Sequence, residues 1–158
     1  HLMDQAFYLF GVPTSYCAEI KTQRAGAIGI DYFDVQFQFG SLNYTIHAGM
    51  LEEQATPRWL IKGSKGTYAK YGVDPQEAKL NAGEQPRGAY WGMEDVNAFG
   101  SIDFISGESK MYQTLPGDYR KFYQGVYNTI REDEPQLIAL NDAVALVGWL
   151  EKLGLERL

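Results

Sequence analysis

Tyr32-Phe33-Asp34-Val35-Gln36-Phe37-Gln38-Phe39, then Gly40-Ser41, then Leu42-Asn43-Tyr44-Thr45-Ile46-His47-Ala48-Gly49, is the stretch on which the fold turns. In its first half Phe33, Val35, Phe37 and Phe39 alternate with Tyr32, Asp34, Gln36 and Gln38, the period of two that marks a half-buried strand. The second half repeats the pattern, with Leu42, Tyr44, Ile46 and Ala48 set against Asn43, Thr45 and His47. Only Gly40-Ser41 lies between, a two-residue loop whose glycine can take a positive φ. Pairing Phe39 with Leu42 places Phe37 opposite Tyr44, Val35 opposite Ile46 and Phe33 opposite Ala48, so one face of the hairpin is apolar throughout. The other face carries Tyr32, Asp34, Gln36, Gln38, Asn43, Thr45 and His47, and is open to water, a ligand or a partner.

Outward from this hairpin the chain reads as a helix and a strand before it, and further strands closed by two helices after it. Residues 2–10 are almost wholly apolar and are stopped by Gly11 and Pro13, which predicts a short buried helix. A buried helix that starts at the first residue without a cap is expected of a piece of a longer chain whose upstream sequence has been removed. Residues 14–22 read as a strand and residues 24–29 as a glycine-containing turn into the hairpin. A second hairpin is expected over residues 58–62 and 67–71, around Gly63-Ser64-Lys65-Gly66. That turn lacks the Gly-x-x-x-x-Gly-Lys-Ser/Thr spacing of a phosphate loop and leads into a strand, so it reads as a plain turn. Residues 72–100 form a long connection holding Pro75 and Pro86, and 100–105 with 109–115 a last strand pair about Gly107.

Tyr119, Phe122, Tyr123, Val126, Tyr127 and Ile130 recur at helical spacing, an apolar stripe that needs a sheet to lie on, with Asp118 placed to cap it. A further helix from Asn141 or Asp142 presents Val144, Leu146, Val147, Leu150 and Leu153 and stops at Gly154. The sum is an α+β domain over residues 1–158: a largely antiparallel open sheet with helices packed on one face, a two-layer sandwich.

Composition narrows the function classes. With 158 residues, one domain is expected, and no second core. A single cysteine, Cys17, excludes an intrachain disulfide framework, and two histidines, His1 and His47, give no zinc spacing. A reducing cytoplasm is the expected setting, with no signal peptide and no apolar run of the roughly 20 residues that a membrane span needs. The net charge of −6, with no stripe of lysine and arginine, argues against nucleic acid as a partner. Eleven tyrosines suit sugar-binding clefts and subunit interfaces as well as cores.

Few constellations carry chemistry. Glu52-Glu53 and Glu132-Asp133-Glu134 read as solvated surface. Asp34 and His47 face each other across the hairpin and could make a general base, but a cross-strand ion pair is the simpler reading. Asp74, Gln76 and Glu77 could collect a cation, yet Asp74 more simply caps a helix beginning at Pro75. No dinucleotide fingerprint, nucleophile elbow or metal motif occurs.

His1-Leu2-Met3-Asp4-Gln5-Ala6 with Leu9-Phe10-Gly11 resembles the opening of the C-terminal domain of the Gfo/Idh/MocA oxidoreductases. Asp31-Tyr32-Phe33, the run from Gly63 to Glu77 (GSKGTYAKYGVDPQE), Trp91-Gly92 and Pro116-Gly117-Asp118-Tyr119 are similar to pieces of one branch, in the same order, and extend the resemblance over almost the whole chain. That branch includes NADP-dependent scyllo-inositol dehydrogenases. The resemblance implies the substrate-side and oligomerisation domain of a dehydrogenase acting on a sugar, polyol or inositol-like compound. NAD or NADP would be held by an N-terminal domain absent from this chain, so no cofactor-binding residue and no metal is expected here.

The family's catalytic histidine, which follows an aspartate four residues earlier, matches His1. Its role would be to exchange a proton with the alcohol oxygen while hydride moves to the nicotinamide, and its aspartate would precede residue 1. Tyr32, Gln36, Gln38, Asn43 and Thr45 are the implied interface of a homodimer or higher homo-oligomer. Tyr32, Lys70, Tyr71, Gln76 and Glu77 are the implied substrate-side residues. The isolated domain is expected to be inactive. The family also returns to its sheet after the last helix, so an ending at residues 154–158 would leave a sheet edge exposed. The rival expectation is a stand-alone, non-enzymatic binding or dimerisation module.

Overall fold

A computed structural model of the chain describes residues 1–154. Its elements run α1 (Leu2–Phe10), β1 (Ser15–Lys21), β2 (Tyr32–Phe39), β3 (Leu42–Gly49), β4 (Trp59–Gly63), β5 (Gly66–Lys70), α2 (Pro75–Asn81), a 3-10 turn (Val96–Ala98), β6 (Gly100–Phe104), β7 (Ser109–Tyr112), α3 (Arg120–Arg131) and α4 (Leu140–Leu153). The protein is α+β, with open antiparallel sheets and helices. The strands are divided between two sheets, of order β1-β2-β3 and β4-β5-β6-β7. They belong to two compact units, His1–Glu53 with Ile138–Leu158, and Gln54–Leu137.

In the first unit β2 and β3 pair as their alternation requires, with Phe39 opposite Leu42, Phe37 opposite Tyr44, Val35 opposite Ile46 and Phe33 opposite Ala48. Gly40 sits in the turn at φ 58°, a conformation that a Cβ disfavours. β1 adds Tyr16, Ala18 and Ile20 to the same apolar side. Onto it pack Met3 and Phe7 of α1 and Leu146, Trp149, Leu150 and Leu153 of α4, with Val35, Phe37 and Ile46 buried at the centre. Phe7 stands edge-on to Phe37 and Trp149, ring centroids 5.6 and 5.3 Å apart. This is the helix-on-sheet layer that the sequence calls for. On α4, however, Val144 and Val147 are exposed, and Trp149 fills the place given to them. Gly154 ends α4 in the left-handed conformation at φ 73°, and residues 155–158, with the expected end of the chain, lie outside the described residues.

β1 and β2 are joined by a turn fastened to one carboxylate. Buried Asp31 accepts the Gln23 amide at 2.6 Å, and the Arg24 amide and Nε at 3.0 Å each. The Gln23 bond is the largest influence on Asp31. Burial opposes it, and the Arg24 bonds and charge join it, so the pKa is lowered.

In the second unit the four-stranded sheet is an antiparallel meander. α2 starts where Asp74 and Pro75 predict, the Asp74 side chain accepting the Gln76 amide. Asp118 accepts the Arg120 amide at 3.1 Å at the head of α3. The α3 stripe departs from expectation: Phe122, Tyr123, Val126, Tyr127 and Ile130 are exposed, and among the described residues no sheet covers them. Periodicity shows that a helix has an apolar side, and carries no information about what lies against it.

Candidate functional site

The sequence-predicted residues fall in two groups, one in each unit. In the first unit His1 precedes α1; its carbonyl accepts the Gln5 amide at 2.9 Å and its side chain makes no capping bond. The outer face of the sheet is laid out in rows by strand register: Ser15, Gln38 and Asn43; Cys17, Gln36 and Thr45; Glu19, Asp34 and His47; Lys21, Tyr32 and Gly49. Gln36, Asn43 and Thr45 are exposed, whereas the Gln38 amide turns back to the Gly40 carbonyl. Tyr32 lies edge-on to His47, 5.4 Å between ring centroids, and Lys21 Nζ stands 5.6 Å above the Tyr32 ring. Asp34 Oδ2 is 3.1 Å from His47 Nδ1, as the cross-strand pairing requires.

In the second unit the distinctive runs of the chain converge, and most of their polar atoms are engaged within the fold. Lys70, only 8% exposed, donates to Glu94 Oε1 at 2.9 Å, to the Ala98 carbonyl at 2.7 Å and to the Tyr71 carbonyl at 3.0 Å. Those three bonds use the full donor capacity of an ammonium group. Gln76, fully buried, donates to both oxygens of Asp74 at 3.1 Å and accepts the Tyr119 amide at 3.1 Å. Tyr119 in turn donates its hydroxyl to Glu77 at 3.3 Å. Burial is the largest influence on that phenol, and the charges of Asp74 and Glu77 raise its pKa further.

Two glycines make the convergence possible. A Cβ on Gly92 would collide with the Gly117 carbonyl, and one on Gly117 with the Asp74 carboxylate. Lys79 donates to the Trp91 carbonyl at 2.7 Å and lies 5.1 Å above the Trp91 ring. Asp118 and Arg120 form an ion pair, and Arg120 also reaches the Gly88 carbonyl at 3.1 Å. Its guanidinium is the largest influence on Asp118. Burial works against it, and the carboxyl is held below its usual range. Of the substrate-side candidates, Tyr71 and Glu77 are exposed, while Lys70 and Gln76 serve as internal braces.

A dinucleotide cofactor needs a glycine-rich turn from a parallel strand into a helix, where the pyrophosphate meets free amides. Among the described residues all strand pairs are antiparallel, and the turns into α2 and α3 present Asp74 and Asp118, carboxylates that repel phosphate. The described residues do not fit such a group. Nor do three or more His, Cys, Asp or Glu side chains among them gather as metal ligands. No described helix is long and apolar enough to cross a membrane.

Residues 1–153 match the family described as "Oxidoreductase family, C-terminal alpha/beta domain", the Gfo/Idh/MocA C-terminal domain. The chain belongs to this oxidoreductase family. Among the relatives of this Gfo/Idh/MocA domain, scyllo-inositol 2-dehydrogenase (NADP(+)) IolW of Bacillus subtilis is 30% identical over 154 residues, covering 96% of this chain and 43% of IolW. The uncharacterized oxidoreductase YdgJ of Escherichia coli is 32% identical over 159 residues, 99% of this chain and 45% of YdgJ. The solved structure of Bacillus subtilis yvaA superposes with a TM-score of 0.89 at 27% identity, over 98% of this chain and 46% of that one. An oxidoreductase from Bacillus cereus gives 0.83 at 30% identity, over 98% and 47%. The chain thus spans less than half the length of these relatives.

Several residues that organise the Gfo/Idh/MocA domain escape sequence reasoning. Glu94, the buried partner of Lys70, sits in a connection without periodicity, 24 residues away. Asp31 opens the Asp31-Tyr32-Phe33 run, whose resemblance implies no role for it. The one available signal was an acid directly ahead of a strand and downstream of Arg24.

Proposed function

We propose that this chain supplies the substrate side and the self-association surface of an NAD(P)-dependent dehydrogenase acting on a sugar, polyol or inositol-like hydroxy compound. The observation that carries the proposal is the family match over residues 1–153, joined to 30% identity with IolW across nearly the whole chain. His1 is assigned proton exchange with the reacting hydroxyl, a task suited to an imidazole near neutral pH. The nicotinamide cofactor, NAD or NADP, is assigned to residues outside this chain. Tyr71 and Glu77 are the exposed substrate-side candidates. Lys70 and Gln76 hold the segment that carries those two, and Tyr32 belongs with the outer face.

That face is the proposed contact with a second copy of the chain, through Tyr32, Gln36, Gln38, Asn43 and Thr45. Polar, hydrogen-bonding side chains on a two-dimensional strand lattice favour a specific and self-complementary contact.

Fusion of the chain behind the dinucleotide-binding half of IolW tests the proposal. Such a fusion is expected to reduce NADP with a polyol, and His1→Ala to remove most of that rate. A folded, NADP-binding fusion that turns over no polyol or sugar would overturn the reading. The 158-residue chain alone is expected to show no turnover with either nicotinamide. Light scattering of Gln36→Glu tests the interface: a like-charge pair across a two-fold contact is expected to shift a dimer to monomer, and an unchanged dimer removes the face from the contact.

A further inference from the structure

One cluster on the outer face of the sheet is used neither by the core nor by the five residues named above for the contact between copies, although Tyr32, one of the five, flanks it. His47 projects from β3 opposite Asp34 on β2, its Nδ1 3.1 Å from the Asp34 carboxylate. Its Nε2 contacts the carboxylate of Glu52, which reaches back from the segment after β3. One ring thus has a carboxylate on each nitrogen. A neutral imidazole has a single N–H and can donate to only one of them, turning a lone pair towards the other. Imidazolium donates to both.

The surroundings favour the doubly donating form. A Cβ on Gly49 would lie 2.6 Å from the Glu52 Oε1 and 3.2 Å from the Tyr32 ring, so Glu52 reaches His47 across a position that holds no side chain. Tyr32 of β2 flanks the imidazole edge-on. From β1 the row carries Glu19, opposite Asp34, and the next row Lys21, which is paired to Glu19. The segment after β3 supplies Glu52 and Glu53. Negative groups outnumber positive ones around the ring.

We infer that His47 is a pH-operated clasp: as imidazolium it fastens Glu52, and with it residues 51–53 where the chain leaves the first unit, to the outer face of the sheet, and on losing its proton it releases them. Burial is the largest single influence on the ring and favours the neutral form. The hydrogen bonds and charges of Glu52 and Asp34 together outweigh it, raising the pKa above the ordinary 6.5. A group with a raised folded pKa stabilises fully below its unfolded value. The clasp is therefore complete below about pH 6.5 and is lost as pH rises through the higher folded value. Its bonds are all made within one chain.

NMR of the ring nitrogens from about pH 5 to 9, with amide relaxation of residues 51–53 at each pH, tests the clasp in the whole 158-residue chain. In the wild type His47 is expected to titrate above 6.5, with residues 51–53 gaining fast motion through the same midpoint. Glu52→Gln is expected to lower the midpoint and leave the segment mobile at every pH. Gly49→Ala keeps the acid but displaces its carboxylate, and is expected to lower the midpoint too. A wild-type midpoint at or below 6.5, or a segment whose motion is the same on both sides of it, would overturn the clasp.

Discussion

Gln76 commits both ends of its amide to the fold, the nitrogen to Asp74 and the oxygen to the Tyr119 amide. Removing it leaves a part-buried backbone N–H and a helix-capping carboxylate short of partners. Gln76→Ala is therefore expected to cost about 2 kcal/mol, read as a lowered urea midpoint with an unchanged slope. Asp31 gives a prediction with a pH signature. Its folded pKa lies below the ordinary carboxylate value, so its contribution is present above about pH 4 and is lost as pH falls through the lower folded value. Urea titrations of wild type and Asp31→Asn are expected to differ most at neutral pH and to converge in acid. A gap that does not change with pH would show that the turn draws its stability elsewhere.

At the scale of elements, the β2–β3 hairpin was legible because two constraints agree. The period of two leaves only even registers, and a two-residue loop selects one of them. Phe37, 1% exposed, is the consequence, and Phe37→Ala is expected to cost roughly 3–5 kcal/mol. A loss under about 1 kcal/mol would mean that Phe7 and Trp149 close over the cavity. Helix starts at Pro75 and beyond Asp118 were legible for a similar reason, since caps act over two or three residues. The second unit was not legible as a braced assembly. Lys70 finds Glu94 and Ala98 24 and 28 residues on, and Gln76 meets Tyr119 43 residues on, separations over which no local pattern operates. Lys70 and Gln76 are substrate-side residues only as the family resemblance implies, and a sequence pattern does not distinguish a polar side chain that faces a substrate from one that replaces water inside the fold. The α3 stripe shows the converse, an apolar side that the described residues leave exposed.

For the molecule as a whole, the connectivity of the units is as informative as their content. The first is assembled from residues 1–53 and the region of α4, and the second is a continuous stretch between them. A chain stopped after Leu137 keeps every strand of the second sheet but loses Trp149 and Leu153 from the first core. Limited proteolysis of that truncation is expected to spare residues 54–137 and to digest residues 1–53. Equal resistance of both would show that α4 is dispensable to the first sheet. The same interruption sets an order of birth on the ribosome. The hairpin bearing Phe37 emerges early, yet Trp149 must wait until the whole of the second unit has been translated, a delay on the order of 10 s at ordinary elongation rates. Throughout that interval a sheet with one greasy side is covered by α1 alone and waits for α4, which makes the nascent chain a natural client for holding chaperones.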